Sequence, residues 1–244
     1  MNPNKLPSEC LVAHRGHQSA FPENSILAVL DAIAAGAKKI EFDIQFTQDG
    51  GAALYHDEDM QRISGVDKKI TTLTRQELTA YSSSEPKRLA ARFCSNPIEY
   101  LDDLLPIIEK HHHIQFFLEL KEESLRVFGD DACFGYLSKV LQPMPDNLVF
   151  ISFDLPAVKR AKSEGFRQTA LVFRDWDRRN SLLAESKADF GFINYTRIPL
   201  KEDIEADKPI LVYEVKHQLI AKQLLDRGAA AVETFFIRSL LNNL

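Results

Sequence analysis

Short runs of β-branched and aromatic residues alternate along the chain with longer stretches whose apolar positions recur every three to four residues. Eight of the short runs are read as strands: "CLVAH" (10–14), "KIEFDI" (39–44), "IQFFLEL" (114–120), "NLVFIS" (147–152), "QTALVF" (168–173), "FGFIN" (190–194), "PILVYEV" (209–215) and "AAAVET" (229–234). Between the first two, Ile26, Val29, Leu30 and Ile33 fall at i, i+3, i+4 and i+7, and Gly36 stops the helix they predict. "AVKRAKSEG" and "IAKQLLDRG" end in the same way at Gly165 and Gly228, and a strand follows each within a few residues. Eight strands with helices between them predict a (β/α)8 TIM barrel, a single domain over residues 1–244.

One segment breaks the alternation. From Asp57 to about Tyr100 the chain, with "TLTRQELTAYSSSEPKRLAARFCSNP" at its centre, is polar, turn-rich and too long for a βα loop. It is read as an insertion after the second βα unit, with too few apolar residues for a core of its own.

Composition narrows the partners. A 45% hydrophobic content is ample for a sizeable core, and 30 Lys and Arg against 35 Asp and Glu give a net charge of −5. The basic residues form no run that would track a phosphate backbone, so a nucleic-acid partner is not expected. No stretch approaches the ~20 apolar residues of a membrane helix, and the amino terminus lacks a signal-like apolar core. Cys10, Cys94 and Cys133 are widely spaced and odd in number, which suggests neither a disulfide framework nor a zinc cluster. A cytoplasmic protein is expected, with its oligomeric state left open.

In a barrel the chemistry gathers at the carboxyl ends of the strands. His14 and Arg15 close the first strand, Glu41 and Asp43 the second, Glu119 and Lys121 the third. Residues two apart on a strand face the same way, so Glu41 and Asp43 point inward together, as do Glu119 and Lys121. Three converging carboxylates repel one another unless protonated or neutralised, and a hard divalent ion, Mg²⁺ or Ca²⁺, neutralises them with oxygen ligands. The alternative is that these acids only pair with Arg15 and Lys121. His14 and His56, each following an apolar run, suit proton transfer near neutral pH. His17 is a weaker candidate, and His111–His113 is read as a solvated helix end.

The stretch "AHRGHQSAFPENSILAVLDAIAAGAKKIEFDIQFTQDGGAALYHDEDMQR" resembles the signature of the glycerophosphodiester phosphodiesterases, which runs HRG, PEN, a helix, GA, ExD, TxDG and HD. "FFLELK" resembles their ExK strand, and weaker similarity in "ISFDLPAVKRA" and "GAAAVET" extends it toward the end of the chain. The resemblance implies a divalent ion held by Glu41, Asp43 and Glu119, and His14 and His56 as the acid/base pair. Arg15 and Lys121 would neutralise the phosphate, with Glu23 and Asn24 on the loop above it. Asn24 is equally readable as the N-cap of the helix that begins near Ser25. The implied reaction is hydrolysis of a glycerophosphodiester, a small-molecule substrate, to sn-glycerol 3-phosphate and an alcohol.

The carboxyl end departs from that family. Where members usually carry a Trp with Thr and a Thr-Asp-x-Pro, this chain reads "VYEV" and "VETFFI". Tyr213 is expected to offer an aromatic wall to the substrate, while Glu214 and Glu233 add negative charge. Glu233 is expected to favour a cationic alcohol or pair with Arg174, or else to point outward to Arg238. Two other functions compete: a lysophospholipase D-like activity, with an apolar entrance from Phe46, Phe93, Tyr100 or Phe153, and a barrel that binds phosphodiesters without catalysis.

Overall fold

The computed structural model describes residues 6–242. Its strands are β1 (Leu11–Ala13), β2 (Lys39–Phe46), β3 (Ala52–Leu54), β4 (Gln115–Leu120), β5 (Leu148–Ser152), β6 (Gln168–Phe173), β7 (Phe190–Asn194), β8 (Ile210–Tyr213) and β9 (Ala231–Thr234). All but β3 are parallel, and because β1 pairs with both β2 and β9 the eight close into a barrel. The fold is the expected (β/α)8 barrel. β3, the "GAALY" run, turns back antiparallel along the end of β2, with Ile44 opposite Leu54 and Phe46 opposite Ala52.

Strand periodicity divides the apolar residues between two cores. Val12, Phe117, Val149, Ile151, Ala170, Val172, Phe192, Leu211 and Ala231 point inward and fill the barrel. Their neighbours along the strands, such as Leu11, Phe42, Phe116 and Phe150, face out and join the helices in a larger cluster. Continuing the inward set one step toward the carboxyl ends gives His14, Glu119, Tyr213 and Glu233. The barrel is thus apolar below and polar at its mouth.

The first helix, Ile26–Ala35, is capped by Ser25, whose hydroxyl accepts the Ala28 amide, so the N-cap is Ser25 and not Asn24. Gly36 stops the helix in the left-handed region at φ 94°. Its buried face is Ala28, Val29 and Ala32, while Leu30 is 42% exposed, against the predicted stripe. The reason is close approach by small residues. Gly16, at φ 74°, lies so near the helix that a Cβ there would be 2.6 Å from the Ala28 carbonyl carbon.

The insertion also differs from expectation. Between β3 and the helix Leu101–Lys110, the chain forms short helical turns, and Met60, Ile63, Ile70, Leu73, Leu78 and Ile98 pack with Ala53, Tyr55 and Tyr100 into a small core of their own. His111–His113 form a turn at the end of Leu101–Lys110, with His112 and His113 exposed. Among the described residues, no helix is long and apolar enough to cross a membrane.

Candidate active site

The predicted residues meet at the mouth of the barrel. His14, Arg15, His56, Glu119, Lys121 and Tyr213 line one cleft of about 70 Å³, together with Phe153, Glu214 and Glu233. Parallel register sets Asp43 directly beside Glu119. One oxygen each from Glu41, Asp43 and Glu119 lies within 4.8 Å of the others, and Glu41 Oε1 is buried without a hydrogen-bond partner. An oxygen-only donor set with an orphaned carboxylate oxygen fits a hard divalent cation.

Two cations offset part of this charge. Lys121 Nζ lies 2.7 Å from Glu119 Oε1 and 3.4 Å from Asp43 Oδ1. Arg15 Nε sits 3.0 Å from Asp43 Oδ2, and its Nη1 donates to Glu23 Oε1 at 2.9 Å. Burial opposes the Asp43 charge, yet Lys121, His56 and Arg15 hold its pKa below the usual carboxylate range. Glu41 behaves oppositely: burial, Asp43, Glu233 and Glu119 all push its pKa well above that range. The two acids of the "EFD" pair are therefore unequal, one kept ionised and the other held toward its neutral form unless a further positive charge offsets it.

Glu23 and Asn24 do not line the cleft; Glu23 holds Arg15, which does, and Asn24 holds Asp43 of the acidic cluster beside it. Glu23, buried, takes Arg15 on Oε1 and Gln18 on Oε2, and Arg62 bonds both oxygens. Asn24, at φ 54°, donates to Asp43 Oδ2 at 2.8 Å and accepts the Asp43 amide at 2.9 Å. An Asn adopts this left-handed conformation at low cost and presents its amide to the strand.

The two histidines are held differently. His14 is buried, stacks on Phe235 with ring centroids 4.7 Å apart, and has Nε2 3.8 Å from Glu41 Oε2. Burial and Arg15 push its pKa well below the ordinary value, so the imidazole is neutral. His56 is half-buried at the rim, and its Nδ1 lies 2.6 Å from Asp57 Oδ1. Burial opposes ionisation of Asp57, but His56 and Arg62 lower its pKa. An ionised Asp57 can only accept, so Nδ1 carries the hydrogen and Nε2 is left to act as base or acid.

Residues 14–196 match the sequence model of the glycerophosphoryl diester phosphodiesterase family. The chain belongs to that family. Bovine (Bos taurus) glycerophosphodiester phosphodiesterase 1 is 29% identical over 172 residues, covering 68% of this chain and 49% of that protein. Mouse (Mus musculus) lysophospholipase D GDPD3 is 32% identical over 115 residues, covering 47% and 35%. The matched stretches thus span about half or less of these relatives' length. A solved Oleispira antarctica phosphodiesterase, in complex with the product sn-glycerol-3-phosphate, superposes with a TM-score of 0.80 at 20% identity, covering 95% of each chain.

Two contributions went unread in the sequence, and one residue is placed apart from the partners expected for it. Phe235, directly after the strand-nine Thr, supports the ring of His14. Arg62 joins Glu23 to Asp57 across the mouth. Glu233 faces neither Arg174, which pairs with Glu122, nor Arg238, which pairs with Asp31. It points inward, buried, and one of its oxygens lies within 4.8 Å of ligand atoms of His14 and Glu41. Burial and Glu119 push its pKa well above the carboxylate range. It lies two residues on from inward-facing Ala231, at the strand end expected to face the substrate, and not in the outward alternative. Of the four aromatic residues considered for an apolar entrance, Phe153 lines the cleft, whereas Phe46 and Tyr100 belong to cores.

Proposed function

We propose that this chain hydrolyses glycerophosphodiesters to sn-glycerol 3-phosphate and an alcohol in a reaction that depends on a divalent cation, Mg²⁺ or Ca²⁺. The observation that carries this reading is the convergence of Glu41, Asp43 and Glu119 at the cleft lined by Arg15, Lys121, His14, His56 and Glu119 in a family member. Glu41, Asp43 and Glu119 would hold the cation, which when bound supplies Lewis-acid stabilisation of charge on the phosphoryl oxygens.

The chain's own groups do the rest. Arg15 and Lys121 bind and orient the phosphodiester, and their positive charge stabilises the transition state. His14 and His56 form the proton-transfer pair: one takes the proton of the attacking hydroxyl or water, and the other gives a proton to the departing alcohol. Asn24 keeps Asp43 in place, and Glu23 does the same for Arg15. Tyr213 and Phe153 form the wall against which the alcohol lies.

Turnover of glycerophosphocholine, followed as release of glycerol 3-phosphate, tests the reading. Activity is expected with Mg²⁺ or Ca²⁺ and loss of it after exhaustive EDTA; full activity in EDTA removes the cation from the scheme. A lysophospholipase D activity is the second reading. It is favoured by a cavity of about 390 Å³ lined by Phe236, Lys216, Arg88 and Phe235, the last of which stacks on His14 of the cleft. Choline release from lysophosphatidylcholine at a rate rivalling that from glycerophosphocholine would select it.

A further inference from the structure

We infer that Arg62, supplied by the insertion, is the positioning residue that sets the proton-transfer group and the phosphate-binding group relative to one another. Its guanidinium holds two carboxylates at once. Nε and Nη2 donate to Asp57 Oδ2 and Oδ1 at 2.7 and 2.8 Å, while Nη1 and Nη2 donate to Glu23 Oε2 and Oε1 at 2.7 Å each. Each carboxylate in turn holds one residue of the cleft. Asp57 Oδ1 takes His56 Nδ1 at 2.6 Å, and Glu23 Oε1 takes Arg15 Nη1 at 2.9 Å. The result is an unbroken chain of charge-assisted bonds, Arg15 to Glu23 to Arg62 to Asp57 to His56, crossing the mouth from the loop after β1 to the loop after β3.

A planar fork is required for this. Four of the five guanidinium hydrogens are committed to the two carboxylates, which forces both toward the guanidinium plane and fixes the separation of His56 from Arg15. Lysine has three donors on one rotatable point and cannot make two bidentate contacts. Arg62 itself does not line the cleft and its side chain is 43% exposed, so it touches the reaction only through its two partners. Glu85, also from the insertion, accepts the Glu23 amide at 2.8 Å, so the same loop is held at a second point.

This inference rests on the hydrolase reading, and wild-type turnover in the same assay separates the two: no wild-type activity refutes the reaction, not the relay. With glycerophosphocholine as substrate, Arg62→Gln is expected to lower kcat roughly 10–100-fold and to raise KM, as misplacement by about an ångström does. Arg62→Lys should stay nearly as impaired despite keeping the charge. Added guanidinium should restore part of the kcat of Arg62→Gln. In an Asp57→Asn background, Arg62→Gln should cost far less kcat than it does alone, because the path to His56 is already broken. A folded Arg62→Lys protein with kcat and KM within twofold of wild type overturns the inference. So does an Arg62→Gln effect equally large with and without Asp57, and so does a change confined to melting temperature.

Discussion

Replacing Glu23 by glutamine removes the negative charge that the Arg15 and Arg62 guanidiniums share while keeping the side chain's size. Burial opposes the carboxylate, yet Arg15 and Arg62 hold its pKa at about 2 against an ordinary 4.5. That gap corresponds to about 3 kcal/mol of folding stability at neutral pH. The independent estimate for breaking a buried ion pair by removing one partner, about 3–5 kcal/mol, agrees. Because the folded pKa is the lower one, the contribution is complete above about pH 5 and is lost as pH falls through 4.5 toward 2. Urea unfolding of wild type and Glu23→Gln in EDTA should therefore show Glu23→Gln less stable by about 3 kcal/mol at pH 7, a melting shift on the order of 10 °C. By pH 3 the difference should have shrunk by about 2 kcal/mol. Two stability curves that stay parallel from pH 7 to pH 3 would refute the reasoning, since Glu23 would then gain nothing from its charge.

Other expectations follow from the same geometry. Gly16→Ala should destabilise by roughly 3 kcal/mol in urea titrations, because it combines a positive φ with a clash against backbone that cannot swing away. His14→Ala and His56→Ala should each lower kcat by about 10²–10⁴-fold, and a variant that keeps a tenth of normal kcat is not in the proton-transfer pair. Glu119→Gln should weaken Mn²⁺ binding by calorimetry with little change in the melting temperature of the metal-free protein, as expected of a residue serving the site. Glu214 and Glu233 both line the cleft, and head-group selectivity should respond more to the half-buried Glu214 than to Glu233, which is buried beside Glu41 and His14. The ratio of kcat/KM for glycerophosphocholine to that for glycerophosphoinositol should fall in Glu214→Gln, and an unchanged ratio would leave Glu214 without that role.

Much of the site was legible because strand periodicity does the placing. Glu41 with Asp43 and Glu119 with Lys121 share inward faces for the elementary reason that alternate side chains of a strand do, and the barrel turns those faces to its axis. The same rule, applied to Ala231, puts Glu233 inside, which decides between the two placements its charge left open, beside the substrate or outward against Arg238. The first helix was misread at Leu30 because an apolar stripe does not tell which of its residues permit close approach, and here Ala28 and Ala32 do. The insertion's core was not legible at all. Its apolar residues, from Met60 to Ile98, are scattered with neither helical nor strand period, and only tertiary folding collects them. Arg62 was invisible for a related reason: its partners Glu23 and Asp57 are 39 and 5 residues away, and no local pattern marks a two-carboxylate bridge.

The insertion packs around a cluster separate from the two clusters of the barrel, and it is therefore expected to open alone, at a free energy below that of global unfolding. Arg62, Glu85 and Arg88 reach from this unit to the loop after β1, so each opening releases the side chains that hold Arg15 and His56 while the barrel stays closed. Turnover by the proposed site is then expected to follow the local stability of the insertion rather than that of the barrel. Mild denaturant should abolish turnover well before the barrel melts, and substitutions deep in the insertion's small core should act as activity variants without touching the cleft.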